Sequence, residues 1–181
     1  TVDKISQMYL TGPVAVEQAT GEKVDQETLG GAMTHSTVSG VAHFIDKTEA
    51  ECFTRVRKLL DYLPQNFREL PPDAAPTDDP CRTDEALNTV IPENNRLPYD
   101  VKDVIVSLAD NGEFLESMPY FADNIVTGFI RLNGKSTGVV ANQPLSMGGC
   151  LDVDASDKAA RFIRTCDSFN IPILTLVDVP G

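Results

Sequence analysis

The chain has 181 residues, 41% of them hydrophobic, with a mean hydropathy of -0.14, which suits a globular fold of about one domain with a core of its own. Against 15 Lys and Arg stand 27 Asp and Glu, giving a formal charge of -12 and a pI near 4.4, so no basic patch is on offer to a nucleic-acid backbone. No run of roughly 18 apolar residues is present to cross a bilayer as a helix. Thr1 opens a polar start without Met or signal-peptide core, and the true N-terminus of the parent is expected further upstream.

Residues 1–43 are rich in Gly, Thr and Ser, with turn signals at Thr11-Gly12-Pro13 and Thr20-Gly21-Glu22. A helix follows. Asp46 or Thr48 is placed to cap it, and Phe53, Val56, Leu59, Leu60 and Leu63 recur at helical spacing as its buried face. Pro64 ends it. From there the composition changes, because seven of the 12 prolines (Pro64, Pro71, Pro72, Pro76, Pro80, Pro92, Pro98) fall in one acidic stretch poor in large apolar residues. Such a stretch builds no core and reads as an extended connection between domains. The expected organisation is residues 1–66, a linker over 67–98, and residues 99–181.

In the last part, Asp100 caps a short helix with Val101, Val104, Ile105 and Leu108 inward, and Asn111-Gly112 stops it. Ile125–Arg131 and Ser136–Ala141 read as strands joined by a type I′ turn at Asn133-Gly134. Ser156 is expected to cap a second helix, with Ala159, Ala160, Phe162, Ile163, Cys166 and Phe169 inward. Ile171–Val179 is a near-continuous apolar run, typical of a strand covered on both faces, hence the α/β class. A strand so close to Gly181 lacks a following partner, which suggests the middle section of a longer protein.

Several motifs carry weak chemistry. Gly134-Lys135-Ser136 and Asp178–Gly181 imitate nucleotide-binding elements, but position 129 is Phe where a P-loop needs Gly, and the residues after Ser136 continue a strand rather than open a helix. His35 and His43 have no partner spacing that marks a triad or metal site, and a Gly-rich turn packed with hydrogen-bonded histidines is the expected role. Glu113 and Glu116 read as a solvated edge, and Lys158, Arg161 and Arg164 as a solvated basic face. Cys166 lies late in its helix beside Phe162 and reads as core rather than nucleophile. The four cysteines (Cys52, Cys81, Cys150, Cys166) are well separated and read as reduced thiols. Asn142-Gln143-Pro144 and Gly148-Gly149 form a loop after a buried strand. Like Asp178–Gly181, that loop sits where ligands gather in α/β folds, at strand carboxyl ends.

Taken together, QMYLTGP (7–13), LGGAMTH (29–35), SGVAH (39–43), LLDYLPQN (59–66), PYDVKDVI (98–105), NGEFLES (111–117), NIVTGFIRLNGKSTGVVANQP (124–144) and the stretch 150–181 resemble, in order, the carboxyltransferase (β-type) subunits of biotin-dependent acyl-CoA carboxylases and decarboxylases. The resemblance implies two lobes with a crotonase-like ββα superhelix, this chain holding the end of the N-terminal lobe, the Pro-rich linker and the start of the C-terminal lobe. It also implies transfer of CO2 between N1-carboxybiotin and the α-carbon of a short-chain acyl-CoA, with two enolates stabilised by backbone N–H groups and no metal.

The Gly-rich loops that supply those N–H groups are expected outside residues 1–181, so no catalytic residue is assigned within the chain and the isolated segment is expected to be inactive. Asn142, Gln143, Pro144, Gly148, Gly149 and Arg161 are the expected acyl-CoA contacts; Asp178, Val179, Pro180 and Gly181 are expected on the biotin side. Expected partners are a biotin carboxyl carrier protein with a biotin carboxylase subunit, or sodium-pump decarboxylase subunits, in a hexamer built as a trimer of dimers. A cytoplasmic location follows, or the mitochondrial matrix in a eukaryote. A non-catalytic assembly module and a P-loop nucleotide-binding domain are the alternatives.

Overall fold

The computed structural model describes residues 1–94 and 97–180. Contacts divide the chain into two compact units, Thr1–Arg57 with Met118–Phe121, and Lys58–Ser117 with Ala122–Gly181. The division falls inside a helix at Arg57–Lys58, and residues 67–98 belong wholly to the second unit.

The first unit is helical. Pro13 occupies the first turn of α1 (Pro13–Thr20), and Gly21, at φ 77, ends it. Helices α2 (Gln26–Gly30) and α3 (Ala32–Thr37) follow, Asp25 capping α2 through the amide of Thr28 at 2.8 Å. His35 therefore lies in a helix rather than a turn, while His43 lies in the non-helical chain that follows, and His35 is hydrogen-bonded as expected. Its Nδ1 meets Ser39 Oγ at 2.7 Å and its Nε2 meets the Met8 carbonyl at 2.6 Å. The carbonyl only accepts, so Nε2 carries a proton.

Helix α4 (Glu49–Tyr62) ends just before Pro64, as its sequence predicts. Thr48 is its cap, in a reciprocal box: the Glu51 amide donates to Thr48 Oγ1, and the Thr48 amide donates to Glu51 Oε2, both at 3.2 Å. Asp46, the other candidate, instead accepts from Arg55 Nε at 2.7 Å. The expected buried face is corrected. Phe53 and Leu60 are each 60% exposed and Val56 48%, while Leu59 and Leu63 are half-buried. Helical spacing shows that the stripe exists; burial also requires a neighbour, and none of the described residues covers these three.

The second unit is built on a four-stranded sheet in the order β1 (Leu115–Ser117), β2 (Ile125–Leu132), β3 (Lys135–Asn142), β4 (Ile173–Leu176). The first three strands are antiparallel, and β4 runs parallel to β3 with Gly138 opposite Ile173. Asn133 (φ 50) and Gly134 (φ 78) form the two-residue turn between β2 and β3, as their left-handed preference predicts. The GKS imitation thus lies in a hairpin, where Lys135 pairs with Asp73 at 3.2 Å. β4 is shorter than the expected 171–179 and half-buried, with Thr175 exposed: its apolar run exceeds what these residues bury.

Two helices pack on the sheet. Asp100 caps α5 (Val101–Leu108), donating no proton but accepting one from the Lys102 amide at 2.9 Å, and Val101 and Ile105 join Val126, Ile130, Val139 and Ala141 in the core. On α6 (Val153–Ser168), Phe162 and Cys166 lie over Gly138, and Phe162 packs on Phe129 at 5.0 Å between ring centroids. Two expectations fail here. The cap is Asp152, which accepts from the Ala155 amide at 2.9 Å, while Ser156 lies in the first turn and donates to the Asp152 carbonyl. Lys158 is only 1% exposed instead of solvated, whereas Ile163, expected inward, is 42% exposed.

The described residues of the run 67–98 are fastened along the second unit by polar contacts. Arg131 donates to the carbonyls of Pro72, Gly134 and Asp61, the Ala74 amide donates to the Gly134 carbonyl, and Arg82 reaches the carbonyls of Leu108 and Ala109. Polar staples to backbone carbonyls do here what apolar burial does elsewhere.

Candidate functional site

Because β3 and β4 are parallel, their carboxyl ends open on one side, and the segment leading into α5 passes the same place. A cleft of about 610 Å³ lies there. One wall is Ile91, Pro92, Leu97, Pro98 and Tyr99; the other is Pro144 and Gly148 after β3, with Asp178, Val179 and Pro180 after β4. A crevice at strand carboxyl ends, of this volume and largely apolar, is the usual form of a small-molecule site.

The structure brings together residues that sequence reasoning kept in two groups. Pro144 and Gly148, expected beside acyl-CoA, share the cleft with Asp178, Val179 and Pro180, expected beside biotin. Gly181 lies outside the described residues. Arg161 is exposed on α6 and does not line the cleft.

Asn142 and Gln143 are buried, and their amides are engaged in holding the walls. Asn142 Nδ2 donates to the Gly149 carbonyl at 2.8 Å, and its Oδ1 accepts from the Asp178 amide at 3.3 Å. One side chain thus ties the loop after β3 to the strand end after β4. Gln143 Oε1 accepts from the Val101 amide at 3.2 Å, and its Nε2 donates to Asp100 Oδ1 at 2.7 Å, fixing the start of α5. Gly149 adjoins the cleft rather than lining it. At φ 78, a Cβ there would fall 2.5 Å from the Asp178 carbonyl oxygen, so this close approach requires glycine. Met147 and Gly148 share the left-handed conformation, at φ 51 and 61, an uncommon backbone for Met and a kind of strain that gathers at ligand sites.

Tyr99 was not singled out from sequence. Its hydroxyl donates to Asp178 Oδ2 at 2.8 Å. Burial, then the neighbouring Asp178 carboxylate, pushes the phenol up to about 12, so it remains a donor near neutral pH. A Tyr immediately before the helix-capping Asp100 was the available signal.

Burial pushes the Cys166 thiol up to about 12, so it is no nucleophile. The four cysteines are free thiols. Lys158 Nζ donates to the Ala122 carbonyl at 3.1 Å, and burial brings it down to about 8. Among the described residues no cluster of three or more His, Cys, Asp or Glu converges as a metal site, and no helix is long and apolar enough to cross a membrane.

A parallel strand pair with a proline-walled cleft at its carboxyl ends, flanked by α5 and α6, defines an α/β segment with a candidate ligand site. Comparison with known proteins makes the class specific. The model of the carboxyl transferase domain matches residues 1–181, and the chain belongs to that family. It is 53% identical over 180 residues to methylmalonyl-CoA decarboxylase subunit alpha of Veillonella parvula, covering 99% of this chain and 35% of the relative. Propionyl-CoA carboxylase beta chain of Roseobacter denitrificans is also 53% identical, over 176 residues, 97% of this chain and 34% of its own length. Among solved structures, the transcarboxylase 12S hexamer with hydrolysed methylmalonyl-coenzyme A bound superposes with a TM-score of 0.95 at 44% identity, over 99% of this chain and 35% of that one. A single-chain, multi-domain long-chain acyl-CoA carboxylase gives a TM-score of 0.79 at 29% identity, over 97% of this chain and 17% of that one. The fold is therefore the crotonase-like one expected. The chain spans about one third of the length of the curated relatives it matches.

Proposed function

We propose that this chain is a segment of a biotin-dependent acyl-CoA carboxyltransferase that moves CO2 between carboxybiotin and the α-carbon of a short-chain acyl-CoA. The observation that carries the reading is the cleft in which the two expected groups converge, Pro144 and Gly148 with Asp178, Val179 and Pro180, on a fold superposing at a TM-score of 0.95 on a transcarboxylase 12S structure holding methylmalonyl-CoA. Propionyl-CoA and methylmalonyl-CoA, named in the relatives, are the acyl-CoA class proposed.

The residues present fit that role by their chemistry. The walls are mostly proline, glycine and aliphatic side chains, and Asn142 and Gln143 set the wall geometry through bonds to Gly149, Asp178 and α5. Carboxybiotin, delivered by a carrier domain, would supply the CO2; this chain's residues orient the acceptor and shield it. In this reading, residues 1–66 and 99–181 come from the two lobes, 67–98 connects them, and the assembled protein is a hexamer that works with a biotin carboxylase or a sodium-pump decarboxylase partner. The oxyanion donors come from outside 1–181, and no metal takes part.

A chimera tests it. Residues 1–181 replace the matching third of the Veillonella decarboxylase subunit, and carboxyl exchange between methylmalonyl-CoA and free biotin is followed. Retained exchange, with none from the 181-residue chain alone, is expected. A folded, assembled chimera without exchange would overturn the reading.

A further inference from the structure

Lys158 is 1% exposed on α6, one turn before Phe162 and two before Cys166 on the buried face of that helix. A buried ammonium is costly to desolvate unless its partners hold it in one geometry. Its Nζ donates to the Ala122 carbonyl at 3.1 Å. Glu116 on β1 and Asp123 attract it, while Lys102 on α5, itself bonded to Glu116 Oε2 at 2.8 Å, repels it.

Ala122 stands at φ 45, a left-handed backbone that a residue with a Cβ enters only at a cost. Its carbonyl accepts twice, from the Ile125 amide at 3.2 Å and from Lys158. The next two residues reach the loop between β3 and α6. Asp123 Oδ1 accepts from Ser146 Oγ at 2.7 Å, and the Asn124 carbonyl accepts from the Gln143 amide at 3.0 Å. Asn124 Nδ2 donates to the Cys150 carbonyl at 2.8 Å and to Asp152 Oδ1 at 3.3 Å. Residues 122–124 thus grip that loop at its start, its middle and its end, and Pro144 and Gly148, which line the cleft, lie between the grips. A charge-assisted hydrogen bond is roughly twice as strong as a neutral one, so an ammonium fixes the segment more firmly than a neutral group of the same size.

We propose that Lys158 is a positioning residue for carboxyl transfer: through the Ala122 carbonyl it holds residues 122–124, and these hold the cleft wall that Pro144 and Gly148 provide. This rests on the carboxyltransferase reading and adds to it a buried side chain outside the cleft lining, which acts on the reaction only through the loop.

The test uses the complete carboxyltransferase chain containing this segment, in its assembled form. Amide hydrogen exchange is compared in the unaltered chain and Lys158→Met. The substitution should speed it at least about tenfold over residues 143–150 and leave residues 159–168 of α6 within about twofold, a contrast that general loosening of the helix would not give. Carboxyl exchange between methylmalonyl-CoA and free biotin should fall about tenfold at neutral pH in Lys158→Met, and about threefold in Ser146→Ala, which leaves the buried face of α6 untouched. Because both act through residues 122–124, the double variant should be no slower than Lys158→Met alone. In the unaltered chain carboxyl exchange should also decline as pH rises through about 8, where the buried Nζ loses its charge, and Lys158→Met should lack that limb. Effects of the two substitutions that simply add, or α6 loosened as much as residues 143–150, would overturn the proposal. Should Lys158→Met not assemble, the pH limb is read on the unaltered chain and Ser146→Ala, and its absence would overturn the proposal equally. No carboxyl exchange in the unaltered chain, with residues 143–150 still loosened by Lys158→Met, would overturn the reaction instead, so the two failures are separable.

Discussion

Lys158 shows how a single side chain can defeat a sound expectation. It repeats with Arg161 and Arg164 and so reads as solvated, but it also lies four residues before Phe162 and eight before Cys166, in register with the buried face. The register decided, and its Nζ is held by the Ala122 carbonyl. Burial, the largest cause, brings its pKa from 10.5 to about 8 against the attraction of Glu116 and Asp123 and with the repulsion of Lys102. Between those two values the folded chain has released a proton that the unfolded chain still binds, so stability rises with pH there, by at most roughly 3 kcal/mol at about 1.4 kcal/mol per unit. Cys166, held protonated to about 12, works the other way above pH 9, where the unfolded thiol ionises. From pH 8 to 9 the Lys158 effect is the larger and Cys166 opposes it only in part. Urea unfolding across that window should show rising stability in the native chain and a slightly falling response in Lys158→Met; equal slopes in both would remove Lys158 as the cause. Asn142 and Gln143 illustrate the opposite limit: their place at a strand end was legible, but the direction of two amides was not, because it depends on Gly149, Asp178 and Val101 arriving from distant parts of the chain.

At the level of elements, local rules performed well where the deciding residues are neighbours. The turn at Asn133-Gly134, the Asp100 cap and the stop before Pro64 all follow from a few adjacent side chains. The start of α6 was read four residues late, because both Asp152 and Ser156 are good caps and only the observed bonds separate them. Asp152 accepts from the Ala155 amide and also from Asn124 Nδ2 at 3.3 Å, and these bonds hold its carboxyl below the usual range. Asp152→Ala should then lower the melting temperature measurably, as loss of a cap does. Ser156→Ala, removing only a bond to a carbonyl already in the helix, should stay within about 0.5 kcal/mol. Thermal unfolding of the two variants at neutral pH distinguishes them, and an equal loss from both would return the cap to Ser156. β4 failed for a different reason: its apolar run reports the burial the sequence is suited to, whereas these residues cover only part of it.

For the whole molecule, the ordered series of family motifs made the fold class readable, since each motif fixes a local element and their order fixes the topology. Tertiary coverage of α4 was not readable, because a stripe at 53, 56 and 60 specifies a partner without naming it. Phe53, Val56 and Leu60 stand exposed on one helix face, while a chain of charge -12 otherwise favours dispersal in water. Repulsion between acidic chains is long-ranged and screened by salt, whereas apolar association is short-ranged and survives it. The 181-residue chain should therefore self-associate increasingly as salt rises. Phe53→Gln with Leu60→Gln should suppress that association, and because those side chains are already in water, the melting temperature should move by no more than about 2 °C, less than 1 kcal/mol in a chain this size. Sedimentation velocity at low and high salt, with calorimetry on the same samples, provides both readings. A drop of many degrees would mean that the face is buried within the chain's own fold, and the exposed stripe would have to be abandoned.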